Sequence, residues 1–242
     1  MMNILVPLAG KNQFFPESEY PYPKPLIEIH GKTMIEHVIG NLSTISRKIQ
    51  FIFVVNASDC KKFHLDNVLN LLTDHTCKII RIDNETKGAA CSAMMAIDHI
   101  DNDTPLIIAN ADQFFDDDLN ALLAQFDGYD GGVLCFESIH PRWSYARVDE
   151  RRQITETAEK RPISKHAIAG FYYFSHGKDF VGSAMQMMKK DANINGLYYI
   201  APTMNEMVLL NKKMTVVSVA NERYHTFYTP TKTQEYERSL PC

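Results

Sequence analysis

The 242 residues, 45% hydrophobic and 22% charged, have the balance of a soluble globular chain, and they exclude disordered, collagen-like and small disulfide-stapled classes. With 25 Lys and Arg against 29 Asp and Glu, the formal charge of −4 argues against a nucleic-acid binder that works by neutralising phosphates. Any anionic ligand has to be held by local groups.

In chain order, short β-rich runs and amphipathic helical runs alternate through the first half, the pattern of an α/β domain with a largely parallel sheet. Residues 3–8 open it as a strand. Met34, Ile35, Val38, Ile39 and Leu42 share one helical face, and the apolar run from Gln50 to Asn56 predicts a buried strand. A second unit follows: a helix through Phe63, Val68, Leu69 and Leu72, a strand Lys78–Ile82, and a helix carrying Ala90, Ala93, Met94 and Ile97. Leu106–Ala109 is the next strand, and the following helix shows Leu119, Leu122, Leu123 and Phe126, with Asp116 to Asp118 expected as caps at its positive end. Beyond Gly131 the runs 132–136, 145–149, 153–157 and 168–174 are strand-like, while 178–190 and 199–211 are helical. No linker, repeat or low-complexity tract appears. One domain over 1–242 is expected, with lobes 1–130 and 131–242.

Cys60, Cys77, Cys91, Cys135 and Cys242 form no CxxC pair and no Cys/His ligand spacing, so reduced thiols in a cytoplasm are the simplest reading. The opening run Ile4–Leu8 is too short for a signal-peptide core, and no stretch approaches the roughly 18 apolar residues of a membrane span. No membrane partner is expected, and the sequons at Asn41, Asn56, Asn84 and Asn102 are read as chance. Met185, Met187, Met188, Met204, Met207 and Met214 fill a core or form a self-association face, leaving a homo-oligomer open.

Leu8-Ala9-Gly10-Lys11 lies where the first strand runs out, the end of an open α/β sheet at which ligands bind; taken alone, a tight turn is the more frequent explanation of such a glycine. In Tyr22-Pro23-Lys24-Pro25, two prolines fix the backbone from which one ammonium projects. Gly31-Lys32-Thr33 imitates the tail of a P-loop, but Leu26 stands where that motif needs glycine. Thr86-Lys87-Gly88-Ala89 places small residues at a helix entry, where a base or ribose can approach the backbone. Asn110-Ala111-Asp112 ends a buried strand in a carboxylate, which either caps or holds Mg²⁺ against a triphosphate. Glu159-Lys160 offers an acceptor for hydroxyls beside a donor for phosphate, or an ordinary surface pair.

Taken together over residues 2–175, the segments LAGK (8–11), PKPLIEIHGKTMIEHVI (23–39), TKGAA (86–90), NADQ (110–113), SYARVDE (144–150) and EKRPIS with AIAGFYYF (159–174) resemble the sugar-phosphate nucleotidyltransferases, or nucleoside-diphosphate-sugar pyrophosphorylases. The resemblance implies a glycosyltransferase-A-like, Rossmann-type core with a mostly parallel mixed sheet and a smaller acceptor-binding lobe. It implies nucleotidyl transfer from a nucleoside triphosphate, with a lean toward pyrimidines, to a sugar phosphate or similar acceptor, releasing pyrophosphate. Nucleotide-sugar supply for polysaccharide biosynthesis is the matching role. A catalytically impaired nucleotide or nucleotide-sugar binding protein of the same fold is the alternative.

By the same resemblance Leu8, Ala9, Gly10 and Lys11 would lie along the triphosphate, Lys24 would bind the α-phosphate, and Thr86, Gly88 and Ala89 would border base and ribose. Asp112 would bind Mg²⁺ with Asn110 in support, and Tyr145, Ala146, Glu159 and Lys160 would meet the acceptor. The chain departs from the family at three places. The first loop usually reads LAGxGxR, whereas Asn12 and Phe14 stand at its second glycine and its arginine. Ala146 replaces the glycine of a Tyr-Gly pair. The late Asp-x-Gly-Thr-Pro motif, whose Asp is a second metal ligand, is here Thr226-Phe227-Tyr228-Thr229-Pro230.

Overall fold

The structure, a computed structural model, describes residues 1–10, 14–16 and 18–239. Its first strand, β1 (Met2–Pro7), is apolar on both faces but for Asn3, whose amide donates to the His99 carbonyl at 3.1 Å, because both faces are covered. Met2, Ile4 and Val6 enter one core and Leu5 the other, as the two-residue period of a strand requires.

A short hairpin, β2 (Glu28–Ile29) and β3 (Lys32–Thr33), leads into α1 (Met34–Leu42), where the Glu36 carboxylate accepts the Thr33 N–H at 3.4 Å. The apolar face of α1 is the one read from its spacing. Then follow β4 (Ile49–Asn56), α2 (Ala57–Phe63), α3 (Leu65–Leu72), β5 (Lys78–Ile82), α4 (Ala89–Met94), α5 (Ile97–Ile100) and β6 (Leu106–Ala109). Strands β5, β4, β1 and β6 pair parallel in that order.

Strand β7 (Gln113–Phe115) and α6 (Leu119–Ala124) precede β8 (Gly131–Glu137), β9 (Ser144–Val148), β10 (Ile154–Glu159) and β11 (His166–Phe174). Strand β11 turns the sheet antiparallel: it pairs with β8 along one edge and, on the other, with β9 at Ala167 and with β6 over Phe171–Phe174. Helices α7 (Gly177–Lys189) and α8 (Thr203–Leu209), strands β12 (Met214–Ser218) and β13 (Tyr224–Thr226), and α9 (Pro230–Ser239) complete the chain. Strand β12 adds parallel to β8, giving a nine-stranded mixed sheet that runs through both halves. Helices α1, α3 and α6 pack on one face and α4, α7 and α8 on the other.

Several expectations need correction. The helix expected through Phe63–Leu72 is broken at His64, whose φ of 53° ends α2 and starts α3. The one through Ala90–Ile97 divides between Met95 and Ala96. The helix expected from Tyr199 starts only at Thr203, with Pro202 at its N-cap. Of the three expected caps, only Asp118 takes the role, accepting the Asn120 N–H at 2.9 Å. Asp116 instead meets His225 at 2.6 Å and Asp117 meets Arg223 at 3.0 Å, tying this turn to the segment around β13. Strands β7, β12 and β13 and helix α9 had no expectation.

Candidate active site

The parallel strands β1, β4 and β6 all end at one cleft of about 960 Å³. Leu8 and Gly10 line it after β1, Asn110 and Asp112 after β6, and Lys24 from a 3-10 turn over Lys24–Leu26. That turn is set by its prolines: Pro23 holds φ −62° and ψ 149° ahead of it, and buried Pro25 anchors it. The Lys24 ammonium therefore leaves a fixed base and reaches Asp112, Nζ to Oδ2, at 2.5 Å. Asp112 is fixed too, because its carbonyl accepts the Phe227 N–H at 2.7 Å as β13 pairs with β7. Ala9 is buried and offers only backbone, the Gly10 backbone faces open space, and Lys11 lies outside the described residues.

A smaller pocket of about 160 Å³ adjoins the cleft, and Ala89, Asn110, Asp112, Ile200 and Tyr228 line both. Glu159 enters it from the end of β10, with Ser144 Oγ donating to its carboxylate. Burial pushes the Glu159 carboxyl above the ordinary range, opposed by the Ser144 hydrogen bond and the nearby Lys160 charge. The walls are aromatic: Trp143, Tyr172, Tyr199, Tyr224 and Tyr228.

Other expected residues are placed differently. Gly88, at φ +104°, is covered by the chain's own backbone: a Cβ there would lie 2.4 Å from the Tyr198 carbonyl oxygen. Tyr198 N–H donates to the Lys87 carbonyl at 2.7 Å, and Ala90 N–H to the Tyr198 carbonyl at 3.0 Å. The glycine makes room for that strap, and Ala89 is the residue of the segment that faces the cleft. The Thr86 hydroxyl is occupied within the turn, 2.6 Å from Ser92 Oγ. Tyr145 and Ala146 are fully buried, and Tyr145 OH donates to the His140 carbonyl at 2.6 Å; Ser144 is the residue of β9 that reaches the pocket. Lys160 is exposed, and its Nζ donates to the Tyr199 hydroxyl at 2.9 Å.

Three participants had no expectation. Gly170, at φ +59°, lies where β11 shifts register, and a Cβ on it would fall 2.2 Å from Asn110 Nδ2. It lets the Asn110 side chain lie against the strand, and a glycine inside a strand-like run is a sequence signal for such an approach. Arg142 comes from the loop before β9. Tyr228 lies between the two pockets, and its ring centroid is 4.5 Å from that of Phe14.

For Mg²⁺, the donor set is a single carboxylate, Asp112, with Asn110 beside it. Among the described residues no three His, Cys, Asp or Glu side chains gather as metal ligands, and Thr226, which lines the smaller pocket, brings no carboxylate. This fits a hard cation that keeps several waters and takes its remaining ligands from phosphate oxygens, and it does not fit a closed structural metal site.

A family model of the MobA-like NTP transferase domain matches residues 18–169. The bifunctional protein GlmU of Methanocaldococcus jannaschii is 25% identical over 176 residues, which is 72% of this chain and 40% of that protein. The chain thus spans less than half the length of that relative. Among solved structures, the nucleoside-diphosphate-sugar pyrophosphorylase of Vibrio cholerae RC9 superposes with a TM-score of 0.82 at 23% identity, covering 98% of this chain and 100% of the other. A putative glucose-1-phosphate thymidylyltransferase from Bacillus anthracis gives 0.74 at 19% identity over 100% and 97%. These structural likenesses establish a shared fold, the glycosyltransferase-A-like Rossmann core. No helix among the described residues is long and apolar enough to cross a membrane.

Proposed function

The chain belongs to the MobA-like NTP transferase domain family, and from that membership we propose that it transfers a nucleoside monophosphate group from a nucleoside triphosphate to a sugar phosphate or similar phosphorylated acceptor. One observation carries the reading: Lys24 and Asp112, from distant parts of the chain, meet at the junction of a large cleft and a small carboxylate-bearing pocket. The large cleft suits the triphosphate and the small one the acceptor.

An acceptor phosphate, with a second pKa near about 6, is already mostly dianionic at neutral pH. Its oxygen attacks the α-phosphorus, a new P–O bond forms, and the bond to pyrophosphate breaks. The protein has no proton to remove; its work is positioning and charge neutralisation. Lys24 offsets the charge that grows on the α-phosphate. Leu8 and Gly10 present backbone to the phosphates, and Ala89 borders the nucleoside. The Glu159 carboxylate accepts hydrogen bonds from acceptor hydroxyls, and the surrounding rings exclude water. Asp112 would hold Mg²⁺, which supplies further neutralisation of the triphosphate when bound. The pyrimidine preference, the cytoplasmic location and the role in polysaccharide biosynthesis belong to the same proposal; the free thiols Cys60, Cys77, Cys91 and Cys135 support a reducing compartment.

The test is pyrophosphate release with Mg²⁺ from the four ribonucleoside triphosphates and dTTP, each against a panel of sugar phosphates. Release that is unchanged in both Lys24→Ala and Asp112→Ala removes the assigned roles. A second reading, a binding protein that has lost the chemistry, is favoured by Phe14 packing on Tyr228 where the family carries an arginine, and by Thr226 where it carries a carboxylate. Tight calorimetric binding of a nucleotide with no pyrophosphate from any acceptor would select it.

A further inference from the structure

We propose that Arg142 is the residue that receives the phosphomonoester group of the acceptor in the smaller pocket; this deepens the transfer reaction above and rests on it. The pocket is lined by two carboxylates, Asp112 and Glu159, which repel a dianionic ligand unless a cation faces it. Among the described residues that line the pocket, Arg142 is the one cation. Lys160, to which the resemblance assigns the phosphate, spends its ammonium on the Tyr199 hydroxyl, and its Nζ lies 5.0 Å from the Tyr199 ring centroid.

Arg142 is exposed, has no carboxylate partner among the described residues, and is nevertheless held in place. Its guanidinium carbon lies 5.5 Å from the Tyr228 ring centroid and 6.0 Å from that of Trp143. Its Nε donates to His140 Nδ1 at 3.3 Å, and its backbone N–H reaches the same nitrogen at 3.2 Å. Both terminal amino groups are left with no protein acceptor among the described residues. A planar fork fixed at its base and unsatisfied at its tip is the arrangement that takes two phosphate oxygens at once.

The platform under it is fixed as well. Tyr228 contacts Phe14 at 4.5 Å and Trp143 at 6.1 Å between ring centroids, and the Trp143 carbonyl accepts the Lys160 N–H at 3.0 Å. Phe14 and Tyr228, two departures from the family pattern more than two hundred positions apart, thus pack on each other, and Tyr228 with Trp143 forms the surface on which Arg142 rests.

The test uses inorganic phosphate as the probe, titrated into the full chain by calorimetry, with Arg142→Ala, Arg142→Lys and Lys62→Ala beside the wild type. Lys62 lines the large cleft and reports phosphate seated there instead. The expected result is at least a tenfold weaker Kd in Arg142→Ala, an intermediate value in Arg142→Lys, and a Kd within twofold of wild type in Lys62→Ala. Binding that is equal in wild type and Arg142→Ala, that falls only in Lys62→Ala, or that does not saturate in the wild type overturns the assignment. The two proposals fail separately. Arg142-dependent phosphate binding without any turnover rejects the transfer reaction and keeps this site, whereas turnover with an unchanged acceptor KM in Arg142→Ala keeps the reaction and rejects the site.

Discussion

Lys24 and Asp112, 88 positions apart, meet at 2.5 Å between Nζ and Oδ2. Each side chain keeps some contact with solvent, 24% and 17% exposed, so the pair is worth about 1 kcal/mol to the fold at most. Its larger value is to the reaction, where each charge is placed before substrate arrives. Lys24→Ala and Asp112→Ala are each expected to lower kcat/KM for pyrophosphate release by about 10²–10³, the scale of losing one preorganised charge contact. The double variant should fall by much less than the product, because the two act as a unit. Melting curves of the single variants should stay close to wild type, which separates lost chemistry from lost structure.

The sheet that carries this pair was legible because β1, β4 and β6 are continuous apolar runs, and a strand buried on both faces can be little else. Lys24 and Asp112 were legible for a related reason: one lies between prolines and the other at a strand's end, and both are local signals. The smaller pocket was not. Arg142 and Tyr228 come from loops without periodicity, and their importance arises only when β13 pairs with β7 and brings Tyr228 between the pockets. Gly88 shows a different limit, for a glycine at a helix entry signals close approach without saying of what. Here the approaching group is the backbone of Tyr198.

Gly88→Ala is accordingly expected to act on stability before it acts on binding. At φ +104° an added Cβ is strained, and it would also meet the Tyr198 carbonyl oxygen at 2.4 Å, so the strap has to move. Strain of this kind costs about 1–3 kcal/mol, and the displaced hydrogen bonds at Lys87 and Ala90 add to it. Chemical denaturation should show a lower midpoint with an unchanged slope. A midpoint equal to wild type would mean that the strap does not bear on the fold.

Thr226→Asp tests the thin donor set. Thr226 pairs with Gln113 across β13 and β7, next to Asp112, and lines the smaller pocket. A carboxylate there gives the cation a second protein ligand, so the Mg²⁺ concentration for half-maximal pyrophosphate release should drop several-fold. In the wild type, EDTA should abolish release and Mg²⁺ in excess of the chelator should restore it. Release that persists in EDTA would remove the cation from the proposal.

Glu159 links the acceptor pocket to pH. Burial raises its folded-state pKa above the unfolded value, with the Ser144 hydrogen bond only partly opposing the shift. The native state therefore holds this proton more firmly than the unfolded chain. The resulting stability is present below the unfolded pKa, is lost as pH rises through the folded one, and is replaced near neutrality by the cost of a buried charge. Glu159→Gln removes that charge at similar shape. Its stability relative to wild type is expected to rise as pH increases from about 4, near the ordinary Glu value, toward neutrality, as read by denaturation at a series of pH values. At pH 7 the same variant should bind acceptor more weakly, because an amide accepts hydroxyl hydrogen bonds less well than a carboxylate. A variant that loses stability relative to wild type as pH rises would show that Ser144 and Lys160 outweigh burial at this carboxylate.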